Sequence, residues 1–149
     1  MTLQNLLKIG RLKPHEASAA EVQRLLAAIR RNLADAAVPN ISDETRFDVA
    51  YKAVMQSALA AMLAAGYRPS TTEPGHHQTM IQTLPLTLGV SNEVWVVLDA
   101  LRRQRNANDY TGQPITSQAV AECLAQARAL ERVLIDHLRT RHAHFLVPA

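Results

Sequence analysis

Between Ser42 and Gly66 apolar side chains recur every three or four residues, at Phe47, Ala50, Tyr51, Val54, Met55, Ala58, Met62 and Leu63. That spacing lays one apolar stripe along a helix. Ser42 offers an oxygen to the first free amides, and Asp43 and Glu44 stand in the first turn, where the helix dipole favours anions. Gly66 suits the C-terminal stop. Alanines at Ala50, Ala53, Ala58, Ala60, Ala61, Ala64 and Ala65 leave little bulk between this helix and whatever packs on it. A long helix with so small a surface is the spine of a helical bundle.

The flanking segments follow the same logic. Leu3, Leu6, Leu7 and Ile9, ending at Gly10, read as a short N-terminal helix within an arm over residues 1–15. Lys13-Pro14-His15 reads as a linker. Ser18-Ala19-Ala20-Glu21 has capping-box spacing, and Val22, Leu25, Leu26, Ile29, Leu33 and Ala36 carry a helix that Pro39 ends. Tyr67 to Gly75 reads as a loop, and a third, shorter helix starts near His76 with His77, Met80, Ile81 and Leu84. Pro85 makes its last turn irregular and Gly89 closes it. Ser91 opens a fourth helix through Val94, Trp95, Val97, Leu98 and Leu101; Asn106, Asn108 and Asp109 predict its end near Arg105, with a loop to Ile115. A fifth helix starts at Thr116 or Ser117 and runs through Val120, Cys123, Leu124, Ala127, Leu130, Leu134 and Leu138. The tail from Arg139 to Ala149 is basic, and Pro148 makes its end non-helical. No segment alternates like a strand for long. With 149 residues, only 4% aromatic, the expectation is one all-α domain over 1–149, an antiparallel up-and-down bundle of four to five helices.

A formal charge of +3 is compatible with nucleic acid but too small to imply it. The single Cys123, in an apolar helical pattern, excludes an intramolecular disulfide framework and a thiolate metal cage. Met1 to Lys8 lack the apolar core of a signal peptide, and no apolar run approaches the ~20 residues that span a bilayer. The expected location is cytoplasmic, with no membrane partner. His76-His77 and His142-Ala143-His144 lack a helical i, i+4 pair or nearby carboxylates, so neither a metal nor a cofactor is expected.

The densest positive charge is Arg102, Arg103 and Arg105, followed by Asn106, Asn108, Asp109 and Tyr110. If consecutive helices alternate in direction, the end holding Gly66 also holds His76, Arg105 and Ser117. Arg68, His76, His77, Arg102, Arg105, Asn106, Asn108, Asp109 and Tyr110 then converge there, with Lys13 and His15 nearby. Arg30, Arg31, Arg141, His142 and His144 fall toward the opposite end. Guanidinium groups beside helix N-termini are a phosphate-binding combination.

An Arg-Asn pair where the fourth helix ends, a polar tyrosine-bearing loop after it, the segment RFDVAYKAV in the second helix and GYRP…GHH before the third together resemble HEPN domains (higher eukaryotes and prokaryotes nucleotide-binding). The resemblance covers about Ser18 to Leu138. It implies a helical bundle, a homodimer, and either a metal-independent ribonuclease or a nucleic-acid-binding protein of a toxin–antitoxin or defence system. The family's ribonucleases carry an Arg, four to six variable residues and then a His. Arg105 matches that Arg and Asn106 the polar residue after it, but Tyr110, Thr111 and Gly112 stand where the His belongs. A tyrosine of ordinary pKa, ~10, is a poor base at neutral pH.

The leading expectation is therefore non-catalytic binding of RNA or a phosphate-bearing nucleotide at the Arg105/Asn106 end. The bland counterpart is a solvated helix terminus in which Asp109 pairs with an arginine. Two further readings stand beside it. One is a ribonuclease in which His76 or His77 replaces the missing His. The other is an antitoxin-like scaffold that meets a cognate protein through Leu3, Leu6 and Leu7 or Trp95.

Overall fold

In the computed structural model, residues 1–72 and 75–147 are described, and they fold into an all-α bundle with one small two-stranded ribbon. The helices are α1 (Leu3–Lys8), α2 (Ala19–Ala36), α3 (Asp43–Ala64), α4 (His76–Gln82), α5 (Leu84–Thr87), α6 (Asn92–Thr111) and α7 (Ser117–Arg141). The ribbon joins β1 (Leu12–Pro14) to β2 (Tyr67–Pro69), antiparallel, with Lys13 opposite Arg68.

α3 is the spine. Phe47, Ala50, Ala58, Ala60 and Met62 are fully buried, and Ile29 of α2, Leu84 of α5 and Leu134 of α7 are buried in the same core. The small alanine faces let neighbouring backbones approach closely. Ser18 and Glu21 form the complete capping box at the start of α2, and Ser42 caps α3 through Thr45 N. Pro85 lies in the first turn of α5, where its missing N–H costs nothing, so the expected irregularity becomes a break between α4 and α5. Cys123 is fully buried, and burial pushes its thiol up to about 12; it packs as a small apolar residue.

Three expectations need correction. Lys13 and Pro14 of the expected linker and Tyr67 to Pro69 of the expected loop are instead in the ribbon, whose strands are too short to show alternation. Glu73 and Pro74 of that loop, and the end at Pro148, lie outside the described residues. The fourth helix does not stop at Arg105. α6 continues two turns to Thr111 and ends at Gly112, which adopts φ 70°. Arg105 pairs with Asp109 one turn on, and Asn108 Nδ2 donates to Gln113 O at 2.8 Å, so the turn-favouring residues are held in helix by their own side chains. The last helix likewise runs to Arg141, and a 3-10 turn at Ala143–Leu146 follows it.

The third correction concerns direction. Arg46 Nε donates to Ala36 O, so the end of α2 meets the start of α3. Ile115 N donates to Glu44 Oε1, which puts the end of α6 and the start of α7 at that same Ser42 end. At the other end, His15 N donates to Gly66 O, and Gln23 Nε2 donates to the carbonyls of Phe145 and Val147. α7 therefore runs parallel to α3, and Ser117 lies opposite the Gly66 end rather than at it. Arg141, His142 and His144 lie at the Gly66 end. The expectation assumed tight turns throughout, but the connection from Gly66 to Gly75 is long enough to return along the bundle before α4 begins.

Candidate functional site

α3 is enclosed except along one stripe. Beyond its first turn, Asp48, Val49, Lys52, Gln56 and Leu59, which share one side of the helix, are its half-buried or exposed positions. α4, α6 and the segment after β2 stand beside this stripe without closing over it. The result is a cleft of about 620 Å³ lined by α3 with His76, His77 and Met80 of α4, Arg105 of α6, and Pro69 and Thr71.

Tyr51 holds the charged part together. Its ring is buried, and the Arg105 guanidinium lies 5.2 Å from the ring centroid, a cation–π contact. Its Oη is 3.4 Å from His77 Nδ1, and the phenol donates when that nitrogen is unprotonated. Burial pushes the Tyr51 phenol up to about 12, against the pull of Arg105 and Arg102, so it stays protonated and can donate. Burial also lowers the pKa of His77, and neighbouring His76, Arg105 and Arg102 lower it further. The neutral imidazole so favoured is the acceptor that Tyr51 requires. His76 stacks edge-on against His77 at 4.7 Å between ring centroids. Asp48, at the cleft edge, has its pKa raised by burial and by Asp109 and Glu44, with Arg105 opposing.

Of the residues expected to converge, Arg105, His76 and His77 line the cleft. Arg102 sits one turn before Arg105, its Nε 2.8 Å from Asp99 Oδ1 in a largely buried pair. Asp109 is 3.9 Å from Arg105 and restrains it from the outer side. Asn106, Asn108 and Tyr110 do not line the cleft. Tyr110 is 85% exposed on a helix surface, which contradicts its expected place in a loop beside the arginines. Arg68 is exposed on β2 across from Lys13, and His15 pairs with Glu21 at 2.8 Å. The start of α7, expected to lend amides to the same site, is not part of it.

Tyr51 was read only as part of the apolar stripe, and Asp48, Lys52 and Gln56 are polar cleft residues of α3 that sequence reasoning missed. Their signal was present. They are the polar positions at helical spacing inside an otherwise apolar, alanine-rich helix, and a spine helix keeps such a stripe only where no neighbour covers it.

Among the described residues, no group of three or more His, Cys, Asp or Glu is placed to hold a metal ion, and no helix is long and apolar enough to cross a membrane. Comparison of the chain with family models, curated proteins and solved structures finds no match.

Proposed function

We propose that this protein binds a phosphate-bearing ligand, a nucleotide or the end of an RNA strand, in the cleft between α3, α4 and α6, without catalysing its breakdown. The supporting observation is the Arg105 guanidinium in the wall of a concave volume of ligand size, its face on Tyr51 and its edge partly free for a phosphate. Its side chain is 32% exposed, and its carboxylate partner stands at 3.9 Å, too far for a tight bidentate pair. Lys52 adds a second cation, while His76 and His77 offer donors. The resemblance to HEPN domains points the same way, toward nucleotide or RNA, and carries with it the proposal of a homodimer in a toxin–antitoxin or defence setting.

The tyrosines support the non-catalytic reading. Tyr110 projects from the outer surface of α6, and Tyr51 is buried with its phenol held near 12. One observation favours a second reading, a metal-independent ribonuclease. His77, its pKa lowered toward a neutral base, lines the same cleft as Arg105.

The test is a fluorescence-anisotropy titration of labelled single-stranded RNA and of a labelled nucleotide, on wild type, Arg105→Ala and His77→Gln at two salt concentrations, with gels run for cleavage. Salt-sensitive binding that disappears in Arg105→Ala, with intact RNA on the gel, supports the proposal. Cleavage that depends on His77 supports the second reading. Binding indifferent to Arg105 refutes both.

A further inference from the structure

The cleft is polarised along α3. Its charged side chains, Asp48, Lys52 and Arg105, lie with Val49 and the two histidines toward the Ser42 end; toward the Gly66 end its walls are mainly Met55, Leu59, Met80 and Pro69, with Gln56 among them. At a rise of about 1.5 Å per residue, Leu59 stands roughly 12 Å beyond Tyr51 along the helix. A ligand with its anion at Arg105 therefore has a largely apolar path of about that length ahead of it.

The chemistry of that path argues against a flat base. Nucleobases are held by stacking on open aromatic faces, and the walls of the cleft beyond Tyr51 carry no aromatic side chain. The Tyr51 ring is buried beneath Arg105, and His76 and His77 are turned edge-on against each other. The walls are instead aliphatic carbon and two thioethers, and unbranched methionine side chains adapt to flexible apolar chains.

We infer that the phosphate-bearing ligand has an aliphatic body: a free single-chain phosphate monoester, with its phosphate at Arg105 and Lys52 and its chain along Met55, Leu59 and Met80. This rests on the phosphate-binding part of the proposed reading and replaces its nucleoside with an aliphatic body. Charge complementarity sets the orientation, since the cations lie at one end of the cleft and aliphatic walls at the other. Gln56, whose Oε1 accepts from Asn32 Nδ2 at 2.8 Å, lines the cleft between Lys52 and Leu59.

The experiment is isothermal titration of the full chain with inorganic phosphate, then with butyl, hexyl and octyl phosphate below their micellar concentrations, and with adenosine and uridine 5′-monophosphates. Phosphatidic acid vesicles form a separate arm. The expected result is affinity rising about three- to fourfold per added methylene from butyl to octyl, with the nucleotides weaker than hexyl phosphate. Leu59→Asn flattens the chain-length series and keeps the affinity for inorganic phosphate. Leu59 is only partly buried, so circular dichroism should show that variant folded. A flat alkyl series with tighter, Arg105-dependent nucleotide binding overturns the aliphatic body and leaves phosphate binding standing. Capture by vesicles without binding of any free alkyl phosphate overturns the free-ligand assignment. Binding of none of these compounds, or binding unchanged in Arg105→Ala, overturns the underlying reading as well.

Discussion

The Arg105 guanidinium stacks over the buried Tyr51 ring at 5.2 Å, while the phenol of the same tyrosine meets His77 Nδ1 on the far side of the cleft. One aromatic residue of the spine thus positions a cation from α6 and an imidazole from α4. Arg105→Ala should lower stability by about 0.5–1 kcal/mol through loss of the cation–π contact, measured by urea denaturation. Arg105→Lys keeps the charge without the planar face and should retain weaker anion binding than wild type. Equal anion affinity in the lysine variant would show that only charge matters at this position.

Asp48 sits at the edge of the cleft, near enough to Arg105 for each to influence the other. Its carboxylate opposes an incoming anion. Asp48→Asn should raise affinity for a phosphate ligand roughly twofold to fivefold, and the gain should shrink as salt is added. Titration calorimetry at two ionic strengths measures both. Weaker binding in Asp48→Asn would mean that the carboxylate contacts the ligand directly.

Burial is the first cause lowering the pKa of His77, His137 and His142 from the ordinary value of 6.5. His76, Arg105 and Arg102 add to it at His77, Arg141 at His137, and His137, His144 and Arg141 at His142. Below pH 6.5 the unfolded chain takes up protons that the folded chain resists, so stability falls as pH drops through that window and is insensitive to these groups above it. Urea midpoints between pH 8 and 5.5 should show this decline. The combined His77→Gln, His137→Gln and His142→Gln variant should show a shallower one. An unchanged slope would assign the decline to other groups.

Ala58 is fully buried on the spine. Ala58→Leu inserts bulk where helices are in contact and should cost about 1–3 kcal/mol, read as a lower denaturation midpoint. A neutral result would mean that the faces around α3 can separate without loss.

The spine, the caps at Ser18 and Ser42 and the break near Pro85 were legible because each is written in local sequence. The helix directions were not, since they depend on the path of the segment after Gly66, which no periodicity encodes. The end of α6 was missed for a different reason. Asn106, Asn108 and Asp109 disfavour helix singly, yet the Arg105–Asp109 pair and the Asn108–Gln113 hydrogen bond retain it until Gly112. Arg105, His76 and His77 were named from sequence and do share a cleft. Tyr110 was expected beside them and is instead on the outer face of α6, displaced by the same two turns of helix.

Gly112 tests that helix end directly. At φ 70° it is in the left-handed region, and a Cβ there meets nothing within 4 Å, so substitution costs backbone strain alone. Gly112→Ala should destabilise by about 1–2 kcal/mol and Gly112→Asn by less, compared by thermal unfolding. Equal stability of all three would mean that α6 ends elsewhere in solution.

The central claim is that phosphate enters the cleft beside Arg105, and amide and arginine Nε–H nuclear magnetic resonance spectra recorded while a phosphate monoester is titrated in test it most directly. The account predicts saturable shifts at Arg105 Nε–H and at the amides of Lys52, His76 and His77, with Arg103 and Arg68 unmoved. Shifts confined to the exposed Lys13, Arg68 and Arg103, or shifts that never saturate, would contradict it.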